Sequence, residues 1–253
     1  MWSNWELTGG WQPFALANGI LIAWPDGLNS SWNAGAAWCG AAVEQSTDDV
    51  GFIDGVISRM QAMYHVDAGR VYLAGHSCGC AMAQTYAVRR SATVAGMACH
   101  AGYMLATPTA DYVPTSAWLA FGTFDESSPY APGRTDEAIA AGYIGAVASL
   151  NRWRDANLCS GSPVETWRVG DDYATTYTTC NGGTEVGLLP YSHLPYSHRT
   201  MAGCCAELSG PSTRCLWPAA CLPTARSDSP VCRTRALAER AARGVVLLPV
   251  TAL

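Results

Sequence analysis

Residues 70–88 read RVYLAGHSCGCAMAQTYAV, and this stretch decides the fold. Arg70–Ala74 is a short apolar run that predicts a strand, and the small residues of Ala81–Val88 predict a helix. Between them, GHSCG matches G-x-S-x-G with Ser77 at its centre. This order is typical of a nucleophile elbow, in which a serine hydroxyl is exposed at the edge of a sheet. The alternative is a glycine-rich turn whose serine only caps the helix.

Strand-like and helix-like segments alternate on both sides of the elbow, which predicts the α/β class, with a mostly parallel sheet flanked by helices. Asp48–Tyr64 is the clearest helix, because its apolar residues follow helical spacing and Thr47 or Asp48 can cap it. Asp136–Arg154 is predicted to be a second long helix. The other predicted strands are Gly19–Trp24, Val94–Ala98, Ser116–Phe121, Val164–Val169 and Glu185–Leu189, while Thr175–Thr179 is either a loop or an edge strand.

Composition and charge exclude several classes of protein. With 49% hydrophobic and 14% charged residues among 253, the chain is not disordered as a whole, and its length suits one large α/β domain. No apolar run reaches about 18 residues, so we expect no membrane span. A net charge of −5 provides no basic surface for nucleic acid. We therefore expect neither a membrane nor a nucleic-acid partner.

Eleven cysteines favour an oxidising compartment, and therefore a secreted protein. Because the number is odd, at least one thiol is free or pairs with another chain. No C-x₂-C pair recurs at zinc-ribbon spacing, so no structural metal is predicted. The opening residues, MWSNWELTGGWQPF, contain no recognisable signal peptide. A secreted type of chain without an export signal leads us to expect a sequence that is incomplete at its N-terminus.

The last quarter of the chain differs from the rest. Residues 1–189 carry 8 Arg and 17 acidic residues, whereas residues 190–253 carry 7 Arg, 3 acidic residues, 5 Cys and 7 Pro. The motif LPYSH also occurs twice, at 189–193 and 194–198. We interpret 1–189 as a catalytic domain and 190–253 as an atypical tail, irregular or disordered. That tail is either a loop-rich, disulfide-linked extension or a sequence not selected as part of the fold.

A nucleophilic serine requires a base, and the base requires an orienting acid. Asp125, in FGTFDESSPY, follows the predicted strand Ser116–Phe121 and is the candidate acid. In the order found in α/β-hydrolases the base comes last, and only His193 and His198 follow Asp125. Each of these histidines is equally consistent with a surface loop position.

The oxyanion that forms during such a reaction needs hydrogen-bond donors. The backbone N–H of Cys78, directly after the serine, is the predicted donor, supported by the N-terminus of the following helix.

The motifs WPDG, SWNAG, CG, DDVGFI, RVYLAGHSCGCAMA and FGTFDESSPY follow one another along the chain. In this order they resemble the polyhydroxybutyrate depolymerase/feruloyl esterase family of secreted α/β-hydrolases, which includes acetylxylan esterase-like members. The resemblance extends from about Trp11 to Leu189. It implies that Ser77 is the nucleophile and Asp125 the acid.

The resemblance also implies a disulfide between Cys159 and Cys180. Cys80 and Cys99 are a second candidate pair, because they lie on the elbow helix and the following strand. Sequence alone does not decide the connectivity.

Two features depart from the family pattern. The family carries a His-Gly oxyanion loop, preceded by strands, before the region that matches Trp11, and this sequence has none. The resemblance therefore implies a sheet without its first strands and without the usual second oxyanion donor. After the last strand, the family's Gly-His would place the base near Tyr196. His198 lies two positions from that point and His193 three, so we favour His198 and keep His193 as the alternative.

The predicted function is hydrolysis of carboxylic esters through an acyl-enzyme, without a cofactor. The resemblance implies small or polymeric esters as substrates, either a polyester or the feruloyl and acetyl esters of plant polysaccharides. Trp32, Asn33 and Trp38, in the loop after the first strand, are predicted to bind substrate, with simple packing as the alternative. The same triad also serves peptide hydrolysis and acyl transfer. A catalytically inactive fragment or a non-catalytic, Trp-rich secreted binding protein is the alternative from another class.

Overall fold

The structure is a computed structural model that describes residues 11–133, 135–192 and 244–247. Its strands are β1 (Ile20–Ala23), β2 (Val71–His76), β3 (Gly96–His100), β4 (Ser116–Gly122), β5 (Val164–Val169), β6 (Asp172–Tyr177), β7 (Val186–Tyr191) and β8 (Gly244–Leu247). Its α-helices are α1 (Trp11–Asn18), α2 (Ala41–Glu44), α3 (Asp49–Met63), α4 (Cys78–Arg89), α5 (Asp136–Ala140) and α6 (Ala146–Ala156).

The strands form one eight-stranded sheet in the order β1-β8-β2-β3-β4-β7-β6-β5. The pairings from β1 through β7 in this order are parallel, and β6 and β5 extend the sheet in antiparallel fashion. The predicted α/β architecture, a mostly parallel sheet flanked by helices, is therefore confirmed. The parallel strands end at one common edge, and that edge carries the elbow.

Strand β8 comes from the predicted atypical tail and lies between β1 and β2. Ile20 of β1 pairs with Gly244, and Val71 of β2 pairs with Val245, both in parallel register. Residues Gly244–Leu247 of the segment 190–253 thus form an interior strand, whereas an irregular or disordered tail was predicted. Most of that segment lies outside the described residues.

The main core lies between the sheet and the elbow helix. Helix α4 is buried from Cys78 through Val88, which explains why its sequence is rich in alanine and glycine: small side chains let the helix approach the sheet closely. Met82 of α4 and Trp153 of α6 belong to this core. The opposite face of the sheet packs against α1, a helix that was not predicted from the sequence.

The predicted helix Asp136–Arg154 was wrong as a single element. It is divided into α5 and α6, because Gly142 and Gly145 adopt φ angles of +105° and +84° that do not fit a helix. A Cβ at Gly145 would also lie 2.7 Å from the backbone nitrogen of Pro132, so this position has no room for a side chain.

The other predicted elements agree closely with the structure. Helix α3 is capped as predicted, with Asp48 Oδ1 accepting a hydrogen bond of 2.9 Å from the Gly51 N–H. Strand β3 begins two residues later than predicted. The segment Thr175–Thr179 contributes to β6, which lies between β7 and β5.

Candidate active site

Ser77 occupies the sharp turn between β2 and α4. Its φ of 52° and ψ of −125° lie in a region that residues other than glycine rarely adopt. Its N–H donates to the carbonyl of His100 (2.9 Å), and its own carbonyl accepts from the Ala81 N–H (3.0 Å). Within the described chain, the Ser77 side chain forms no capping hydrogen bond to α4. The backbone therefore has the geometry expected of an elbow, and helix capping does not occupy the hydroxyl.

Two glycines make room for this turn. A Cβ on Gly75 would lie 2.6 Å from the Cys80 nitrogen, so the strand and the helix approach too closely for any side chain there. A Cβ on Gly102, which follows β3, would lie 2.7 Å from the Ser77 carbonyl oxygen. Gly75 of the elbow motif is thus required by close backbone contacts, as the motif predicts, and Gly102 lies outside the motif but meets the same restriction.

Asp125 lies beyond the carboxyl end of β4, at the same sheet edge as the elbow. Its Oδ1 accepts hydrogen bonds from the N–H groups of Ser127 (2.8 Å) and Ser128 (2.9 Å), which hold one carboxylate oxygen in place. The residue is partly buried. Burial raises the pKa of the neighbouring Tyr103, and the charge of Asp125 raises it further. A carboxylate held in this way could orient an imidazole through its second oxygen.

The two candidate bases, His193 and His198, lie outside the described residues. The chain that leads to them leaves the sheet at Tyr191, the last residue of β7. The Tyr191 carbonyl accepts from the backbone N–H of Thr123 (3.0 Å), in the loop that leads to Asp125. The segment that carries the late histidines therefore begins beside the candidate acid.

A histidine pair lies next to the elbow and was not among the predicted site residues. His76 precedes Ser77, and its ring stacks on that of His100 with centroids 4.9 Å apart. His100 Nε2 and the Tyr191 hydroxyl are hydrogen-bonded to each other. Burial, with a smaller contribution from His76, lowers the pKa of His100 to about 3. The His100 ring is therefore neutral at physiological pH. The signal in the sequence was the position of each histidine two residues after the end of a predicted strand, Arg70–Ala74 and Val94–Ala98.

Three disulfides are present among the described residues. Cys80–Cys99 and Cys159–Cys180 are the two candidate pairs from the sequence, with Cα–Cα distances of 5.1 and 3.8 Å. The third, Cys39–Cys78, was not predicted, and its Cα atoms are 5.4 Å apart. It includes the residue whose N–H is the predicted oxyanion donor.

Two of the three predicted substrate-binding residues occupy structural positions. The side chain of Trp32 has no exposed surface and packs near Phe52, with ring centroids 6.2 Å apart, so it is a core residue and does not line an open pocket. Asn33 donates its backbone N–H to Asp49 Oδ2 (2.5 Å) and its side-chain amide to the carbonyl of Thr47 (2.8 Å). Through these two hydrogen bonds, Asn33 joins the loop to the start of α3.

Trp38 contacts the elbow. Its carbonyl oxygen lies 3.9 Å from Cys78 Sγ. Its partly buried ring packs 5.8 Å from that of Tyr143 and 6.3 Å from that of Tyr103. Tyr103, one ring of this aromatic group, is also close to Asp125. A substrate-binding role for Trp38 stays a prediction.

No protein-family model matches this sequence, and no curated protein matches it. Among the helices that the structure describes, none is both long and apolar enough to cross a membrane. The described residues also contain no group of three or more His, Cys, Asp or Glu side chains placed to hold a metal ion.

Proposed function

We propose that this protein is a serine-dependent hydrolase of carboxylic esters, similar to the polyhydroxybutyrate depolymerase/feruloyl esterase family. The backbone of Ser77, with a φ of 52° at a junction between a strand and a helix, carries the proposal. Strain of this kind persists only where the surrounding structure enforces it, and it clusters at functional sites.

In the proposed reaction, Ser77 Oγ attacks the ester carbonyl carbon while its proton passes to an imidazole of His198, or of His193. The tetrahedral intermediate collapses, the C–O bond to the alcohol breaks, and the imidazolium protonates the departing oxygen. Water then attacks the acyl-enzyme by the same route, which releases the acid and restores Ser77. Asp125 holds the imidazole in the required orientation and stabilises its charged form.

The N-terminus of α4 supports the negative charge of the intermediate. Cys78 is the first residue of this 12-residue helix, where backbone N–H groups have no partner within the helix. Its N–H, together with the helix dipole, would stabilise the oxyanion.

The proposed substrates are polyesters or the feruloyl and acetyl esters of plant polysaccharides, and the proposed location is extracellular. Three disulfides in the described residues agree with an oxidising compartment. The partly buried rings of Trp38 and Tyr143 beside the elbow would suit an acyl or sugar group.

The decisive experiment measures turnover of p-nitrophenyl acetate by the full chain, its Ser77→Ala variant and a Ser58→Ala control. Ser58 is exposed on α3, so its substitution removes a hydroxyl without touching the elbow. We expect Ser77→Ala to lose at least about 10³-fold in kcat and Ser58→Ala to be unchanged. Labelling by a fluorophosphonate should occur at Ser77 alone.

The same assay identifies the base. We expect one of the variants His193→Ala and His198→Ala to lose activity as severely as Ser77→Ala, and the other to retain it. Equal rates in the wild type and Ser77→Ala would reject the esterase proposal and leave a non-catalytic scaffold.

A further inference from the structure

Two of the described disulfides begin in the first turn of the elbow helix. Cys78, directly after the candidate nucleophile, is joined to Cys39, and Cys80 is joined to Cys99 of β3. The third disulfide precedes β7, so it lies at the amino ends of the parallel strands, away from the elbow. The elbow is thus covalently linked both to the sheet and to the loop that follows β1.

The loop joined to Cys78 is the one that carries Trp38. Cys39 and Cys78 are 3% and 6% exposed, so the link lies inside the protein. Cys39 ends the short turn Ala37–Cys39, where its N–H donates to the carbonyl of Ala36 (2.9 Å). The disulfide therefore connects the residue that provides the proposed oxyanion donor with the residue next to the aromatic group.

Hydrogen bonds hold this loop in place independently of the disulfide. Ser31 Oγ accepts from the backbone N–H of Ala42 (2.8 Å), and Thr85 of α4 donates its hydroxyl to the carbonyl of Ala34 (3.2 Å). Because these hydrogen bonds fix the loop, the disulfide to Cys39 restricts the movement of Cys78.

We propose that the Cys39–Cys78 disulfide is a positioning element of the active site. It holds the Cys78 N–H at the oxyanion position. The inference rests on the proposed esterase function. It assigns the two cysteines no contact with the reacting atoms; they act through the backbone of the elbow.

The strained backbone of Ser77 explains why the elbow needs this restraint. A residue at φ 52° relaxes toward a common conformation unless its neighbours prevent this, and relaxation would turn the Cys78 N–H away from the oxyanion. A preorganised donor is worth about 10²–10³ in rate. A crosslink on the adjacent residue opposes the relaxation at the point where it would begin.

The test compares two double variants of the full chain, Cys39→Ala/Cys78→Ala and the control Cys159→Ala/Cys180→Ala. The disulfides span 39 and 21 residues, so their loss should weaken the fold by similar amounts. For each protein, kcat and KM for p-nitrophenyl acetate are measured. The concentration of sites labelled by a fluorophosphonate is used to calculate kcat, so that unfolded protein does not lower its value. Affinity for a trifluoromethyl ketone, whose adduct carries an oxyanion, is the second measurement.

We expect Cys39→Ala/Cys78→Ala to lose about 10-fold or more in kcat and a similar factor in affinity for the trifluoromethyl ketone. Its KM should change by less than about threefold, and the control should retain the kcat of the wild type. Should the alanine pair fail to fold, Cys39→Ser/Cys78→Ser provides the same comparison with more polar replacements.

Equal kcat per labelled site in the two double variants would overturn the positioning role, while Ser77-dependent turnover in the wild type would leave the proposed function intact. Absence of Ser77-dependent turnover in the wild type would overturn both. A purely structural disulfide would lower the labelled fraction without changing kcat per site.

Discussion

Replacing Gly102, which follows β3, with alanine should displace the backbone of the elbow. The added Cβ would lie 2.7 Å from the Ser77 carbonyl oxygen, 2.7 Å from Cys80 Cβ and 2.8 Å from the Ala81 nitrogen. Unstrained contacts between such atoms are about 3.5 Å, so the neighbours must retreat by roughly 0.7 Å. They cannot retreat separately, because Ala81 is hydrogen-bonded to Ser77 and Cys80 is crosslinked to β3.

The displacement therefore reaches the candidate nucleophile. Overpacking of this kind costs about 1–3 kcal/mol of the free energy of unfolding. A nucleophile displaced by up to about 1 Å can lose 10²-fold in rate, so we expect kcat/KM for p-nitrophenyl acetate to fall by about 10- to 100-fold in Gly102→Ala. Urea unfolding followed by tryptophan fluorescence measures the first effect, and the esterase assay measures the second.

Gly55→Ala is the matched control. Gly55 is exposed inside α3, and a Cβ there would meet no atom within 4 Å. Alanine is favoured over glycine in a helix interior by about 0.8–1.0 kcal/mol, so this variant should be more stable than the wild type and equally active. If Gly102→Ala keeps the wild-type stability and turnover, the close approach between the segment after β3 and the elbow is not rigid, and the reasoning fails.

Three further predictions concern the support of the site. Gln84→Leu should lower the free energy of unfolding by about 2–6 kcal/mol, measured in urea, because buried Gln84 donates to the Gly102 carbonyl (2.8 Å) and accepts from Trp153 Nε1 (2.9 Å), and leucine leaves both unpaired. Folding depresses the pKa of His100 from 6.5 to about 3, so its stabilising contribution is complete above pH 6.5 and is lost as the pH falls toward 3. The slope of the free energy of unfolding against pH should approach 1.4 kcal/mol per pH unit, and this slope should be smaller in His100→Gln between pH 6.5 and 5. Equal slopes in the variant and the wild type would contradict this assignment. Asp48→Ala should cost about 1 kcal/mol in urea unfolding, because it removes the N-cap of α3.

The sequence predicted those features that local chemistry determines. The elbow could be predicted because a buried strand, two glycines and a small-residue helix follow one another within 19 residues, and no distant contact is needed to recognise them. Asp125 could be placed at the same edge because the carboxyl ends of parallel strands share that edge. Both deductions needed only the order of the elements along the chain.

The features that were missed depend on contacts or conformations that local patterns do not record. Ile139, Tyr143 and Val147 continue an apolar spacing across a break that the φ angles of Gly142 and Gly145 impose, so periodicity alone suggested one helix. Spacing likewise could not select Cys39 as the partner of Cys78, because connectivity is a property of the folded chain.

Strand β8 has a consequence for how the protein is made. Ile20 pairs with Gly244, 224 positions later, and Val71 pairs with Val245, 174 positions later. On a ribosome, β1 and β2 emerge long before the strand that separates them, so these two strands lack this partner until residues 244–247 have been synthesised. Closing such long loops slows folding and leaves hydrogen-bonding edges exposed meanwhile. Truncation before residue 244 would remove the strand that pairs with both β1 and β2.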